Sequence, residues 1–233
     1  MVEYKNNNTL YEEMLKEVEA RPLLSNGTRE ILNAYICFDP FQQLNRAKQS
    51  YVDAELAWYK SMERNIKAHP IIEKNPIWQG CAAPDGSVNS NYGWCIFSQE
   101  NYAQYNCAVN SLLKDPCTRQ SVCTYIRPEI QMYHDDGVHA NHDFICTFCT
   151  HHFIREGKLE YIVYMRSNDI EFGTPYDLAW HQYVFKNMWN DLVVAGERID
   201  NPIFKFLSPG KIHWYASSLH KYEKRSNAGA SLA

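Results

Sequence analysis

The densest chemistry in the chain lies in one short stretch, where His139, His142, Cys146, Cys149, His151 and His152 fall close together. Two kinds of chemistry suit this set. Imidazole and thiolate groups at short spacing suit zinc. A single thiol near cations suits nucleophilic catalysis, because a neighbouring positive charge favours the thiolate. The local pattern weighs against the metal. Phe144 to Arg155 is rich in β-forming residues, and side chains alternate faces along a strand. Cys146 and Cys149 then point to opposite faces, and neither Gly nor Pro lies between them to form a ligand-bearing knuckle. Read plainly, Cys149 is a small buried apolar residue, and His151 and His152 are sheet or surface histidines. The reading adopted is that the chain holds no metal.

A second group follows. Arg166-Ser167-Asn168-Asp169 sets a guanidinium and a hydroxyl, both suited to a phosphate, beside a carboxylate. On spacing alone, a structural role for Arg166 is the plainer reading.

These residues need elements to hold them. Phe144 to Arg155 and Leu159 to Ser167, joined by Glu156-Gly157-Lys158, predict a β-hairpin. Pro175, at a favoured first-turn position, opens a helix that runs to about Val194 and ends near Gly196. Upstream, Tyr4 to Ala20 reads as an amphipathic helix with Leu10, Met14 and Val18 on one stripe, and Pro22 ends it. A turn over Ser25 to Arg29 leads to a strand from Ile31 to Phe38. Tyr51 to Lys67 reads as a helix with Val52, Leu56 and Tyr59 inward, and residues 79–95 read as loop. Ser98 caps a helix running to Lys114, before Pro116. Val122, Thr124 and Ile126 alternate as a strand does, and Lys211 to Ser217 is a final strand. Strands and helices mix without strict alternation, which fits an α+β sheet fold.

The chain has 233 residues, 45% hydrophobic and 21% charged, so it can bury a real core, and residues 1–233 are expected to form a single domain. No run approaches the ~20 apolar residues of a membrane span. Met1 to Arg21 has no apolar signal core, so a cytoplasmic location is expected. The net charge of −4 excludes a large basic field for nucleic acid, but not a small anion held by a few arginines. In such a compartment the eight cysteines are expected to be free thiols.

The stretch Met165-Arg166-Ser167-Asn168-Asp169-Ile170-Glu171-Phe172-Gly173-Thr174-Pro175-Tyr176-Asp177 resembles the thymidylate synthase signature, in which Arg-Ser-x-Asp is followed by Gly-x-Pro-Phe-Asn. Further segments resemble one branch of that superfamily, the deoxycytidylate hydroxymethylases of T-even-type bacteriophages. They are Ala54 to Ser61, Ile77-Trp78-Gln79, Asn89 to Trp94, Asn101 to Tyr105, Asp143 to Thr147 and Ser218 to Tyr222. They follow the family order from about residue 20 to 225.

The resemblance implies a thymidylate synthase-like fold: a large mixed β-sheet flanked by helices, with one sheet face forming a homodimer interface. It implies that Cys146 is the nucleophile that adds to C6 of a pyrimidine. Synthases place Asn where this chain has Asp177; a carboxylate accepts from the cytosine amino group and interacts with a protonated N3, which favours dCMP. C5 would then take up the carbon of 5,10-methylenetetrahydrofolate, and water positioned by Glu55 would quench the resulting exocyclic methylene. Arg166 and Ser167 would bind the 5′-phosphate, with Asn168 beside them on the nucleotide. Arg119 would reach the same phosphate across the dimer. Its neighbour departs from the family's Arg pair and is Gln120; Arg29 is placed to compensate, and Arg127 is a further basic candidate. His220 and Tyr222 would hold the sugar 3′-hydroxyl. Asp169, Trp78, Tyr176 and Gly173 would lie along the folate. The chain ends soon after Tyr222, short of the tail that closes the site in the family, so a different closure or a weaker enzyme is expected. Three other readings stay open: methyl transfer to dCMP or dUMP, a CMP substrate, and a non-enzymatic nucleotide- or zinc-binding module. No membrane partner and no direct nucleic-acid contact are expected.

Overall fold

In the computed structural model, residues 5–133 and 142–223 are described. Their strands are β1 (Thr28–Phe38), β2 (Val122–Thr124), β3 (Thr147–Arg155), β4 (Lys158–Met165), β5 (Asn168–Asp169) and β6 (Ser208–Tyr222). They form one mixed sheet in the order β1-β6-β4-β3-β2, with β5 added alongside β6. β6 runs antiparallel to β1 but parallel to β4 and β5. The β3–β4 hairpin turns at Glu156 and Gly157, with φ of 51° and 70°. Two successive positive φ angles make the tight turn whose twist matches the strands, and glycine carries the second at no steric cost.

The helices are α1 (Asn7–Glu19), α2 (Gln49–Ser61), α3 (Pro70–Glu73), α4 (Pro76–Cys81), α5 (Tyr92–Phe97), α6 (Gln104–Lys114), α7 (Pro128–Tyr133), α8 (Thr174–Arg198) and α9 (Pro202–Lys205). Strand alternation sends Ile36, Phe38, Val163, Met165, Ile212 and Trp214 to one buried face. Helix α8 meets that face through Trp180, His181, Val184, Phe185 and Met188, all fully buried. Trp214 meets His181 of α8 across the layers at 5.4 Å and its sheet neighbour Phe38 at 5.9 Å between ring centres. Each such side chain contributes about 2 kcal/mol or more through burial. On the opposite face, Tyr35, Tyr215 and Tyr164 form a ladder across β1, β6 and β4, with ring centres 4.9 and 5.5 Å apart. Tyr35 and Tyr164 remain 45% and 36% exposed, so no element of the described chain covers this face. No helix among the described residues is long and apolar enough to cross a membrane.

Several boundaries differ from the sequence reading. The helix expected to reach Lys67 ends at Ser61, because Met62 turns left-handed with a φ of 59°. Its buried face also includes Glu55, while Leu56 is only half-buried. Residues 79–95 are not all loop: α4 reaches Cys81, and α5 starts at Tyr92. The side chains of Asn75 and Asn91 cap these two helices by accepting from the amides of Ile77 and Trp94. Asparagine reads equally well as a turn residue, which hid both starts. Ser98 caps only a short 3₁₀ turn, Gln99–Asn101, since Tyr102 and Ala103 take positive φ before α6. Helix α8 passes through Gly196 to Arg198; that glycine is a close-packing point, where a Cβ would lie 2.4 Å from Cβ of Phe204. Strand β6 is longer at both ends than Lys211 to Ser217, and the α1 prediction began at Tyr4, outside the described residues.

Candidate active site

A cleft of about 480 Å³ opens where α2, α4, the segment before β3, the β4–α8 connection and the end of β6 converge. It brings together Cys146, Glu55, Asp177, Arg166, Ser167, Asn168, Asp169, Gly173, Tyr176, Trp78, His220 and Tyr222. These residues come from five separate stretches of sequence, and the sheet registers them. The β5–β6 pairing sets Asn168 beside Leu219 and Asp169 beside His220. The amide of Ile170 also donates to the His220 carbonyl at 2.8 Å.

Cys146 sits just before β3 in a segment tied at both ends. Upstream, the Asp143 carboxylate accepts from the amides of Asn89 and Ser90 at 2.7 and 2.6 Å. Downstream, Arg166 donates through Nε to the Ile145 carbonyl at 3.1 Å and through Nη2 to the Phe144 carbonyl at 2.6 Å. The Arg166 amide donates to the carbonyl of Cys146 at 2.9 Å. Burial pushes the Cys146 thiol up to about 11, and the Arg166 guanidinium opposes that rise.

Glu55 is 8% exposed on α2, and burial pushes its carboxyl up to about 7. One helical turn earlier, Tyr51 donates its hydroxyl to Glu55 at 3.0 Å. The Trp78 indole N–H donates to that same Tyr51 oxygen at 3.0 Å. The three side chains form a directed chain ending on the carboxylate. Asp177, in the first turn of α8, is held well above the usual carboxylate range, first by burial and then by the charges of Glu55 and Asp169. Asn168 Nδ2 donates to Asp177 Oδ2 at 3.0 Å and opposes that rise. The Thr174 hydroxyl donates to Asn168 Oδ1 at 2.6 Å. The tight packing leaves no room at Gly173, where a Cβ would lie 3.1 Å from Asn168 Nδ2 and 3.2 Å from Asp177 Oδ2.

Other expected residues lie elsewhere in this chain. Arg29 does not line the cleft; its guanidinium pairs with Glu223 and the Arg21 carbonyl. Arg119 and Gln120 are exposed on the segment entering β2, and the Arg119 carbonyl bonds His151 Nε2 at 2.9 Å. Arg127 stacks over Trp94 and pairs with Glu129 at 2.9 Å. Among the described residues, no group of three or more His, Cys, Asp and Glu is placed to hold a metal. His152 is buried between Ser121 and Thr150, while Cys149 pairs across with Tyr164 on the open sheet face; His139 lies outside the described residues.

The sequence reading assigned no role to Tyr51, Asp143 or Thr174. Tyr51 stands four residues before Glu55, a spacing that puts both on one helix face and was a usable signal. Thr174 fills a position the signature leaves open, so only the fold exposes its contact.

A thymidylate synthase family model matches residues 27–226. The chain belongs to the thymidylate synthase family. It is 38% identical over 199 residues to the deoxycytidylate 5-hydroxymethyltransferases of Enterobacteria phages T4 and T2, covering 84% of this chain and 76% of theirs. It is 24% identical over 188 residues to a thymidylate synthase of Corynebacterium aurimucosum, covering 73% of this chain and 66% of that protein.

Proposed function

We propose that this chain hydroxymethylates C5 of dCMP, giving 5-hydroxymethyl-dCMP and tetrahydrofolate, as a single thymidylate synthase-like domain working in a homodimer. The observation that carries the reading is Asp177: a carboxyl stands where the family signature has Asn, in the same cleft as Cys146 and Glu55. A cytosine edge presents an amino donor at N4 and a bare acceptor at N3. A carboxyl with one shared proton matches both.

Cys146 adds through sulfur to C6 of the base, and the electron pair moves to C5. A thiol near 11 has to lose its proton for this, and Arg166 is the cation that favours the thiolate. Asp177 balances charge as it develops on the base. Glu55, near 7, can hold or release a proton at neutral pH, which suits a group that positions water and relays its protons. Trp78, Tyr176 and Phe172 offer flat aromatic surface in the cleft, with Asp169 and Gly173 beside them; this set fits a folate's ring system and its donors. When bound, methylenetetrahydrofolate supplies the carbon that C5 accepts. Arg166 and Ser167 hold the phosphate end, Asn168 stands beside Asp177 at the base end, and His220 and Tyr222 hold the sugar. A second copy of the chain covers the open tyrosine face and lends its Arg119 to the phosphate.

The test is tritium release from [5-³H]dCMP and [5-³H]dUMP, with and without methylenetetrahydrofolate, followed by mass analysis of the nucleotide. Folate-dependent release from dCMP with a hydroxymethyl gain is expected. A methyl gain would move the chain to the methylating branch of the family. Release from neither nucleotide would overturn the catalytic reading.

A further inference from the structure

The cleft contains a relay that ends on the carboxyl proposed to read the base. Thr174, Asn168 and Asp177 stand in sequence: hydroxyl to amide oxygen at 2.6 Å, then amide nitrogen to carboxyl oxygen at 3.0 Å. Thr174 is fully buried and Asn168 is 2% exposed, so neither has water to fall back on. An Asn amide has a donor end and an acceptor end, and its orientation follows its neighbours. The carboxyl on the Nδ2 side sets this orientation and the Thr174 hydroxyl supports it, because its 2.6 Å bond to Oδ1 is better than the 3.4 Å contact with the Asp169 carbonyl that a reversed amide would leave it.

That orientation has a chemical consequence at Asp177. Oδ2 receives the Asn168 N–H and is thereby fixed as an accepting oxygen. A proton on this carboxyl is left to Oδ1. Cytosine needs one oxygen that accepts, for N4–H, and one that shares a proton, for N3. Uracil needs the reverse assignment, because O4 accepts and N3–H donates. Which oxygen carries the proton therefore decides which base fits. Were the amide reversed, Asn168 Oδ1 would draw the Asp177 proton to itself and spoil the match to cytosine.

We infer that Thr174 is a positioning residue for base choice: through Asn168 it fixes which oxygen of Asp177 accepts, and so selects cytosine over uracil. The inference rests on the dCMP reading above and adds the residue that sets its selectivity. It places N4 of the base against Oδ2 and N3 against Oδ1. Thr174 itself touches neither substrate nor folate; it acts through Asn168.

The experiment compares T174V, which keeps the shape and removes the hydroxyl, with T174S, which keeps the hydroxyl. For each variant and the wild type, kcat/KM with methylenetetrahydrofolate and the Kd by calorimetry are measured for dCMP and dUMP, with thermal melts as a fold check. T174V is expected to lose tenfold or more on dCMP while dUMP is unchanged or improved, because an unpaired buried polar atom carries such a penalty. T174S is expected to stay within about threefold of wild type on both nucleotides, since its hydroxyl makes the same bond. Equal losses on both nucleotides in T174V, or no loss on either, would overturn the assignment. If T174V fails to fold, N168L serves as the second variant, with the same loss of selectivity expected and equal effects on the two nucleotides overturning it. The two readings fail separately: wild type that binds dCMP without turnover sinks the catalytic reading and leaves the selectivity ratio measurable by calorimetry. Wild type that binds neither nucleotide sinks both.

Discussion

Replacing Glu55 by Gln should make the protein more stable at alkaline pH and leave it unchanged near pH 4. Glu55 is 8% exposed, and its carboxyl is raised from 4.5 to about 7, mainly by burial. A folded-state value above the unfolded one means that folding takes up a proton. The stability linked to this group is complete below the unfolded value and is lost as pH rises through the folded value. At about 1.4 kcal/mol per pH unit, the loss comes to about 3 kcal/mol by pH 8.5. Gln is isosteric with the protonated carboxyl and can still accept the Tyr51 hydroxyl through Oε1. Near pH 4 the two proteins should agree within about 0.5 kcal/mol; near pH 8.5 E55Q should lead by about 3 kcal/mol, or about 6–12 °C in Tm for a chain of this size. The assay is urea unfolding of both proteins across this range, read as the difference at each pH. Taking the difference removes groups common to both proteins, including buried His152 and His181, held down near 3, which destabilise the fold as pH falls below their ordinary range. A difference that stays flat with pH would refute the burial argument. So would an E55Q protein less stable than wild type near pH 8.5. The same variant should lose hydroxymethyl product, since Gln cannot relay a proton.

With its thiol raised to about 11, Cys146 should react slowly with iodoacetamide near neutral pH, after the exposed Cys107 and Cys117. Its rate should climb about tenfold per pH unit, as thiolate chemistry requires; peptide mass spectrometry at several pH values reads the order, and first labelling of Cys146 near pH 7 would contradict the assignment. Gly173→Ala should lower dCMP turnover at least tenfold in steady-state assays, because the new methyl meets the Asp169 carbonyl at 2.9 Å and crowds the Asn168–Asp177 pair. Asp177→Asn should exchange preference from dCMP toward dUMP by about a hundredfold in relative kcat/KM, the scale of a buried hydrogen-bond mismatch. Steady-state kinetics on both nucleotides measures it, and an unchanged ratio would remove Asp177 from base reading.

The elements with strong periodicity were legible in the sequence. The hairpin around Gly157, the α8 start at Pro175 and the strand over Ile31 to Phe38 follow from β-rich or apolar runs and turn chemistry. Helix ends set by a single left-handed residue, such as Met62, were not, because no residue type marks that choice. The signature brought Arg166 through Asp177 into view, and its match to other segments brought Glu55 and His220. Tyr51 and Asp143 escaped because an aromatic residue and a loop acid have many uses; only three-dimensional packing shows one donating to Glu55 and the other anchoring the Cys146 segment. Arg29 entered only through the family resemblance, and in this chain its guanidinium pairs with Glu223.

Arg166 holds the carbonyls of Phe144 and Ile145, the two residues that lead into Cys146. The guanidinium proposed to meet the substrate's phosphate is thus the same group that ties down the segment leading into Cys146. The main chain takes up two of its five N–H donors, so an anion can meet the others while the guanidinium keeps its hold on the Cys146 segment. One cation thus serves both the place proposed for the phosphate and the segment that carries the sulfur.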